Sequence, residues 1–314
     1  MDTESVQVAQ GVPAAGAAGL APAPAPPTAP PTLCRPYGRP AWVWEWGRRT
    51  YVMGILNVTP DSFSKDGLDR DVEAAVARAR QMAAEGADVI DVGGESSRAR
   101  DHEGVAASEE IERVVPVIER LRHDVPGVLI SVDTWKAAVA AAALDAGANL
   151  INDVGAMRQD PDMRDVAAGY GAPIVVMHGR PVSNDRDVVE DVKRFFAEVL
   201  EEAERAGVRA DQVILDAGFS MNKSVYQDLA CTRRLQELTG FGRPLLHAPS
   251  RKRTIGRVLG FPRTLPERIF GTAAAIAVGI ANGADIVRVH DVLEMARCGR
   301  MADALVRGYA GPDE

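Results

Sequence analysis

A chain of 314 residues that is 46% hydrophobic and 25% charged has the make-up of a soluble globular protein, and its length allows one large α/β barrel or two modest domains. A net charge of −8 excludes a general nucleic-acid or polyanion binder, so an anionic substrate would need a local cluster of cations. No apolar run reaches the roughly 18 residues that span a bilayer, and Cys34, Cys231 and Cys298 lack metal-like or redox-like spacing; the expectation is a cytoplasmic protein with no nucleic-acid or membrane partner.

Residues 1–41 stand apart. The first forty hold nine of the twenty prolines, and the Ala/Pro run "GVPAAGAAGLAPAPAPPTAPP" buries too little apolar surface to offset chain entropy. The first basic residue is Arg35, which argues against a signal or transit peptide. A disordered tail is expected over 1–41 and one catalytic domain over 42–314.

Eight apolar runs then follow in order: 50–57, 87–93, 128–134, 150–155, 173–178, 213–218, 244–250 and 284–290. Between them lie segments of helical periodicity, such as "DVEAAVARARQMAAE" (71–85) and "DVVEDVKRFFAEVLEEAERA" (187–206). A joint recurs in "EGADVIDVG" (85–93), "AGANLINDVG" (146–155) and "NGADIVRVH" (282–290), with a looser copy in "AGVRADQVILDAG" (206–218). Each puts a glycine after a helix, where a left-handed cap suits it, and then starts a β-branched run. The runs are continuous rather than alternating, as parallel strands covered by helices require. Eight such units predict an α/β protein of the (β/α)8 TIM-barrel type. The alternative, an open doubly wound sheet, lacks its glycine-rich fingerprint after the first strand.

In such barrels chemistry sits at the C-terminal strand ends. The first run ends in Asn57 and opens into a long polar loop, "VTPDSFSKDG" (58–67); the second leads to Arg98 and the third to Asp133. Asn152 and Asp153 follow in the fourth, Asp216 in the sixth, Ser250, Arg251 and Lys252 after the seventh, and Arg288 and His290 in the eighth. Arg288 and His290, two apart on a strand, project to one side and with Arg98 and Asn57 could surround a phosphate or diphosphate. The alternative is an Arg–His pair held by helix carboxylates. Asp133, Asn152, Asp216 and Lys252 mix acceptors and donors as a flat amino-pyrimidinone edge needs. Asp133 could also cap a helix starting at Trp135. Asp91 and Glu95 are read as structural rather than as a metal pair, and His178 as more often structural than functional.

Together "GILNVTPDSFS", "GADVIDVGGESSR", "ISVDT", "LINDV", "VILDAG", "SRK" and "GADIVRVHDV" resemble the dihydropteroate synthases, in order, from about Thr50 to Arg307. The resemblance implies a (β/α)8 enzyme of folate synthesis, homodimeric, that joins 6-hydroxymethyl-7,8-dihydropterin diphosphate to p-aminobenzoate with Mg2+ and releases diphosphate. It implies that Asp133, Asn152, Asp216 and Lys252 hold the pterin. Asn57 would reach the diphosphate and Mg2+, and Arg98, Arg288 and His290 would bind the diphosphate. Ser97 and Met221 would stand beside the aminobenzoate. The helix after Lys252 would offer its N-terminus, with Arg253 nearby, to that substrate's carboxylate, and the loop after Asn57 would be a mobile lid.

The sequence departs from the family pattern mainly on the aminobenzoate side. The usual Asp-Pro-Gly-x-Gly-Phe-Gly-Lys reads "DAGFSMNK" (216–223), so Ala217 replaces the Pro and Met221 the Phe. His247 and Ala248 stand where an apolar residue and Gly are usual, "SSRA" replaces "STRP", Lys65 takes an acidic loop position, and "HGRP" shortens the run after His178. A diverged paralogue using another amine, or inactive, is therefore an alternative. So is a methyltetrahydrofolate-type methyltransferase, although "NVTPDSF" and "RVH" argue against it. A Schiff-base aldolase using Lys252 is more remote.

Overall fold

The computed structural model describes residues 32–34, 42–59, 71–95, 104–260 and 266–309. Two short strands, β1 (Thr32–Cys34) and β2 (Trp42–Trp44), form an antiparallel pair. Among the described residues the first paired backbone is at Thr32, inside the stretch 1–41 expected to be disordered. The open-sheet alternative is excluded, because eight parallel strands close into a barrel in chain order. They are β3 (Tyr51–Asn57), β4 (Val89–Gly93), β5 (Leu129–Asp133), β6 (Leu150–Asp153), β7 (Ile174–Met177), β8 (Val213–Asp216), β9 (Leu245–His247) and β10 (Ile286–Val289). Helices alternate with them: α1 (Val72–Glu85), α2 (Ala107–Asp124), α3 (Ala137–Ala146), α4 (Met163–Tyr170), α5 (Val188–Arg205), α6 (Val225–Arg233), α7 (Arg253–Val258), α8 (Ile269–Ala281) and α9 (Val292–Arg307).

Local chemistry sets these boundaries. Asp71 caps α1 by accepting the Ala74 N–H at 2.9 Å, and Asp187 caps α5 through Val189 N–H at 2.9 Å. The glycines of the recurring joint do what the repeat suggests: Gly86 and Gly147 end α1 and α3 at φ 108° and 118°, in the left-handed region.

The barrel interior has two layers. Side chains alternate along a strand, so residues two apart share a face. Tyr51, Met53, Val89, Leu129, Leu150, Val175, Ile214, Leu246 and Ile286 form one buried cluster, joined from below by Trp44 and Trp46. Trp44 lies 4.7 Å from Trp46 and 4.8 Å from Tyr51, ring centroid to centroid, and these rings close the N-terminal end of the barrel. The outward residues of the strands pack with the helices in two further clusters. Counting on by twos from the inner cluster brings Asn57, Asp91, Asp133, Asn152, Asp216 and Arg288 onto the inward face. The apolar layer thus ends where a polar one begins, at the C-terminal mouth.

Candidate active site

Strand register assembles the polar layer. Asn57 pairs with Gly93, Gly93 with Asp133, and Asp133 with Asn152, so four adjacent strands deliver these residues at one level. Gly93 matters by having no side chain: a Cβ there would stand 3.4 Å from Asn57 Oδ1 and 3.6 Å from Asp133 Cβ. The gap between the amide and the carboxylate is left open as a result.

Beneath them runs a charged brace. Arg288 Nε donates to Asp91 Oδ2 at 2.6 Å, and Nη2 donates to Asp133 Oδ2 at 2.7 Å. Asp91 Oδ2 also accepts from Asn152 Nδ2 at 3.0 Å. Asp91 is fully buried; burial pushes its carboxyl up while Arg288 opposes the rise. Burial works against the Arg288 charge too, but Asp91 and Asp133 outweigh it and hold the guanidinium protonated. The carboxylates that meet Arg288 are on strands, not on helices as the alternative reading of the Arg–His pair required.

Asp216 ends β8 on the same inner face. Its Oδ1 accepts the Gly218 N–H at 2.8 Å, and burial pushes the carboxyl up against the pull of the Lys252 charge. Lys252, just ahead of α7, donates from Nζ to Phe219 O at 2.7 Å. Burial brings its ammonium down to about 8, with Asp216 opposing and Arg288 reinforcing the fall. The helix expected after Lys252 is α7, and Arg253 is its exposed first residue.

His290 completes the group. Ser250 Oγ accepts the His290 backbone N–H at 3.1 Å and lies 3.0 Å from Nδ1. The single hydroxyl proton then points to Nδ1, which leaves the imidazole proton on Nε2. Burial and then the charges of Arg251, Arg288 and Lys252 bring this His down to about 3, so the ring is neutral.

Several expected roles are corrected. Asp133 is not a helix cap: α3 starts at Ala137, whose N–H is capped by Asp160 at 2.8 Å. Asp153 faces away from Asn152's side and turns the chain, its Oδ1 accepting the Gly155 N–H at 2.7 Å. His178, read from the sequence as more often structural, needs no correction: it lies 3.1 Å from Asp191 Oδ2 through Nε2 and 2.9 Å from Lys223 Nζ through Nδ1. Glu95, also read as structural, shares Lys136 Nζ with Glu110, each at 2.5 Å. Asp91, read as merely structural, braces the site itself, and the signal was a carboxylate inside an apolar inward-facing strand. Ser97, Arg98, Lys65 and most of the expected lid after Thr59 lie outside the described residues. Among the described residues no group of three His, Cys, Asp or Glu side chains is placed to hold a metal.

A family model described as "Pterin binding enzyme" matches residues 53–290. The dihydropteroate synthase of Bacillus subtilis is 47% identical over 262 residues, covering 83% of this chain and 90% of that one. That of Clostridium beijerinckii is 45% identical, covering 83% and 96%. Among solved structures, Xanthomonas albilineans dihydropteroate synthase with 4-aminobenzoic acid superposes with a TM-score of 0.79 at 40% identity, covering 90% of this chain and all of that one (100%). The same enzyme in complex with 7,8-dihydropteroate gives 0.72 at 39% identity, over 84% and 94%. With the barrel, its polar mouth and these relatives in agreement, the chain belongs to the dihydropteroate synthase family.

Proposed function

We propose that the polar layer is the pterin cradle of a dihydropteroate synthase, which condenses 6-hydroxymethyl-7,8-dihydropterin diphosphate with p-aminobenzoate to give 7,8-dihydropteroate and diphosphate. The observation that carries this assignment of residues is the convergence of Asp133, Asn152, Asp216 and Lys252 above the Asp91–Arg288 brace. Asp133 and Asp216 accept from the ring N–H groups and amine, Lys252 donates to the ring carbonyl, and Asn152 does both.

The chemistry asks little of a base. The aryl amine is unprotonated near neutral pH, so its nitrogen lone pair attacks the pterin methylene carbon. The carbon–oxygen bond to diphosphate breaks, and the new ammonium then loses a proton. Positive charge develops at the methylene as the leaving group departs, and Asp91, Asp133 and Asp216 outnumber Arg288 and Lys252 beneath it. The neutral His290 offers its Nε2–H to a diphosphate oxygen, and Arg288, whose two bonds to carboxylates use two of its five N–H donors, adds its charge. Arg98 is assigned to the same anion from the family motif.

Mg2+ fits as the metal of this site. It prefers oxygen ligands and usually takes few from protein and the rest from phosphate and water. Asn57 Oδ1, beside the gap at Gly93, is the oxygen that would hold it. When bound it neutralises charge on the diphosphate. Ser97, Met221 and Arg253 are assigned to the aminobenzoate side, with α7 beginning beside its carboxylate. No helix among the described residues is long and apolar enough to cross a membrane, and the reaction is assigned to the cytoplasm.

A homodimer is part of this reading. α8, "IFGTAAAIAVGIA", is apolar on every face, and such a helix is normally buried. Here Phe270 is 83% exposed, and Leu305 on the adjoining α9 is 75% exposed. A second copy would cover this face. The activity is tested by incubating purified protein with the pterin diphosphate and p-aminobenzoate, with and without Mg2+. Magnesium-dependent formation of dihydropteroate is expected; absence of product under all conditions would reject the assignment.

A further inference from the structure

We propose that Ser220 and Asp228 are positioning residues that set the affinity for the second substrate, by fixing the wall on which Met221 stands. This rests on the reading that Met221 lines the aminobenzoate. The segment Gly218–Lys223 leaves β8 in an unusual backbone. Gly218 has φ 71°, and a Cβ there would fall 2.0 Å from His178 O. Ser220 and Asn222 then adopt φ 59° and 52°, a left-handed conformation that side chains other than glycine's disfavour.

Specific tethers hold those two residues. Asp228, fully buried on α6, accepts the Ser220 N–H through Oδ1 at 2.7 Å. Ser220 Oγ lies 3.1 Å from Asp228 Oδ2 and 3.0 Å from Thr254 Oγ1, and the Thr254 hydroxyl donates to Asp228 Oδ2. Asn222 Nδ2 donates to Gly179 O at 2.8 Å, and Lys223 Nζ donates to His178 O at 2.9 Å and Gly218 O at 3.2 Å. Met221 is therefore bracketed by residues pinned on both sides. Thr254 also lies two residues after Lys252, so one carboxylate ties the wall, α6 and the start of α7 together. A wall fixed before the ligand arrives lowers the ordering cost of binding a flat ring. A carboxylate that only joined two helices would have no reason to hold Ser220 through both its N–H and its hydroxyl.

The test compares Ser220→Gly and Asp228→Asn with the parent. Glycine is at home at φ 59°, so Ser220→Gly relieves backbone strain while deleting the hydroxyl tether. Steady-state rates are measured with each substrate varied in turn, and binding of a pterin alone by calorimetry. The expected result is a rise of about three- to tenfold in KM for p-aminobenzoate in both variants, as for one lost hydrogen bond. In Ser220→Gly, KM for the pterin diphosphate and pterin affinity should stay unchanged within error, and its melting temperature should not fall. An equal rise in both KM values of Ser220→Gly, or an unchanged amine KM in that variant, would overturn the proposal. A parent enzyme that makes no dihydropteroate from p-aminobenzoate would overturn the underlying reading as well, and is recognised before any variant is compared.

Discussion

Replacing Asp91 by Asn tests whether the brace under the site does more than fold the barrel. Asp91 Oδ2 takes both the Arg288 Nε bond and the Asn152 Nδ2 bond, and the side chain has no exposed surface. Asparagine keeps the shape and one acceptor but removes the charge. Breaking a buried ion pair outright costs about 3–5 kcal/mol. Here Arg288 keeps Asp133 Oδ2 at 2.7 Å, so the loss is closer to that of one charge-assisted hydrogen bond, about 2 kcal/mol. In a protein of this size that lowers the melting temperature by about 3–4 °C. Arg288 and Asn152 also lose their common anchor, so pterin affinity measured by calorimetry should fall about tenfold, equivalent to about 1.4 kcal/mol. A melting temperature and affinity that both match the parent would show that Asp133 alone holds Arg288. A drop in stability with unchanged pterin affinity would confine Asp91 to folding.

Four further outcomes follow from the geometry. Asp216→Asn should weaken pterin binding by about 1.5–3 kcal/mol with little change in melting temperature; unchanged affinity in calorimetry would remove Asp216 from the pocket. His247 is held down to about 4 from 6.5 by burial and then by Lys252, with the Ala275 backbone opposing, so between those values the unfolded chain binds a proton that the folded one does not. Stability from this group is complete above pH 6.5 and is lost as the pH falls. His247→Leu should therefore lose about 1.3 kcal/mol less than the parent between pH 7.5 and 5.5 in urea unfolding, and parallel behaviour of the two would refute it. Phe270→Glu should convert the proposed dimer to a monomer by light scattering, and an unchanged mass would clear that face of the role. Deleting residues 1–31 should leave the melting temperature and turnover within error, because that Ala/Pro-rich stretch has too little apolar surface to bury; a loss of several degrees would show that the deleted segment packs on the barrel.

What the sequence made legible was whatever depended on near neighbours. A polar residue closing an apolar run flagged Asn57, Asp133, Asn152 and Asp216, and glycine after a helical stretch flagged the joints. What it hid depended on distant partners. Asp91 gains its meaning from Arg288, 197 residues away, and no local pattern announces that pair. The cap reading of Asp133 failed because Asp160, 23 residues beyond Ala137, does the capping. For His178 the sequence favoured a structural role but not its partners, Asp191 and Lys223, which stand against the two ring nitrogens. β1 was masked by the Ala/Pro composition around it, since three residues are too few to carry a strand signal of their own.

The aromatic plug at the closed end of the barrel also gives the protein a built-in pair of optical reporters. Of the four tryptophans, Trp44 and Trp46 pack at the closed end, whereas Trp135 follows β5 at the mouth, with Lys136 Nζ 5.0 Å from its ring. With Trp42 also replaced by Phe, emission from a Trp135→Phe variant would come from the closed end alone and should track global unfolding while ignoring ligand. The difference from the Trp42→Phe spectrum isolates the mouth, so binding and unfolding can be followed separately in one cuvette without an attached dye.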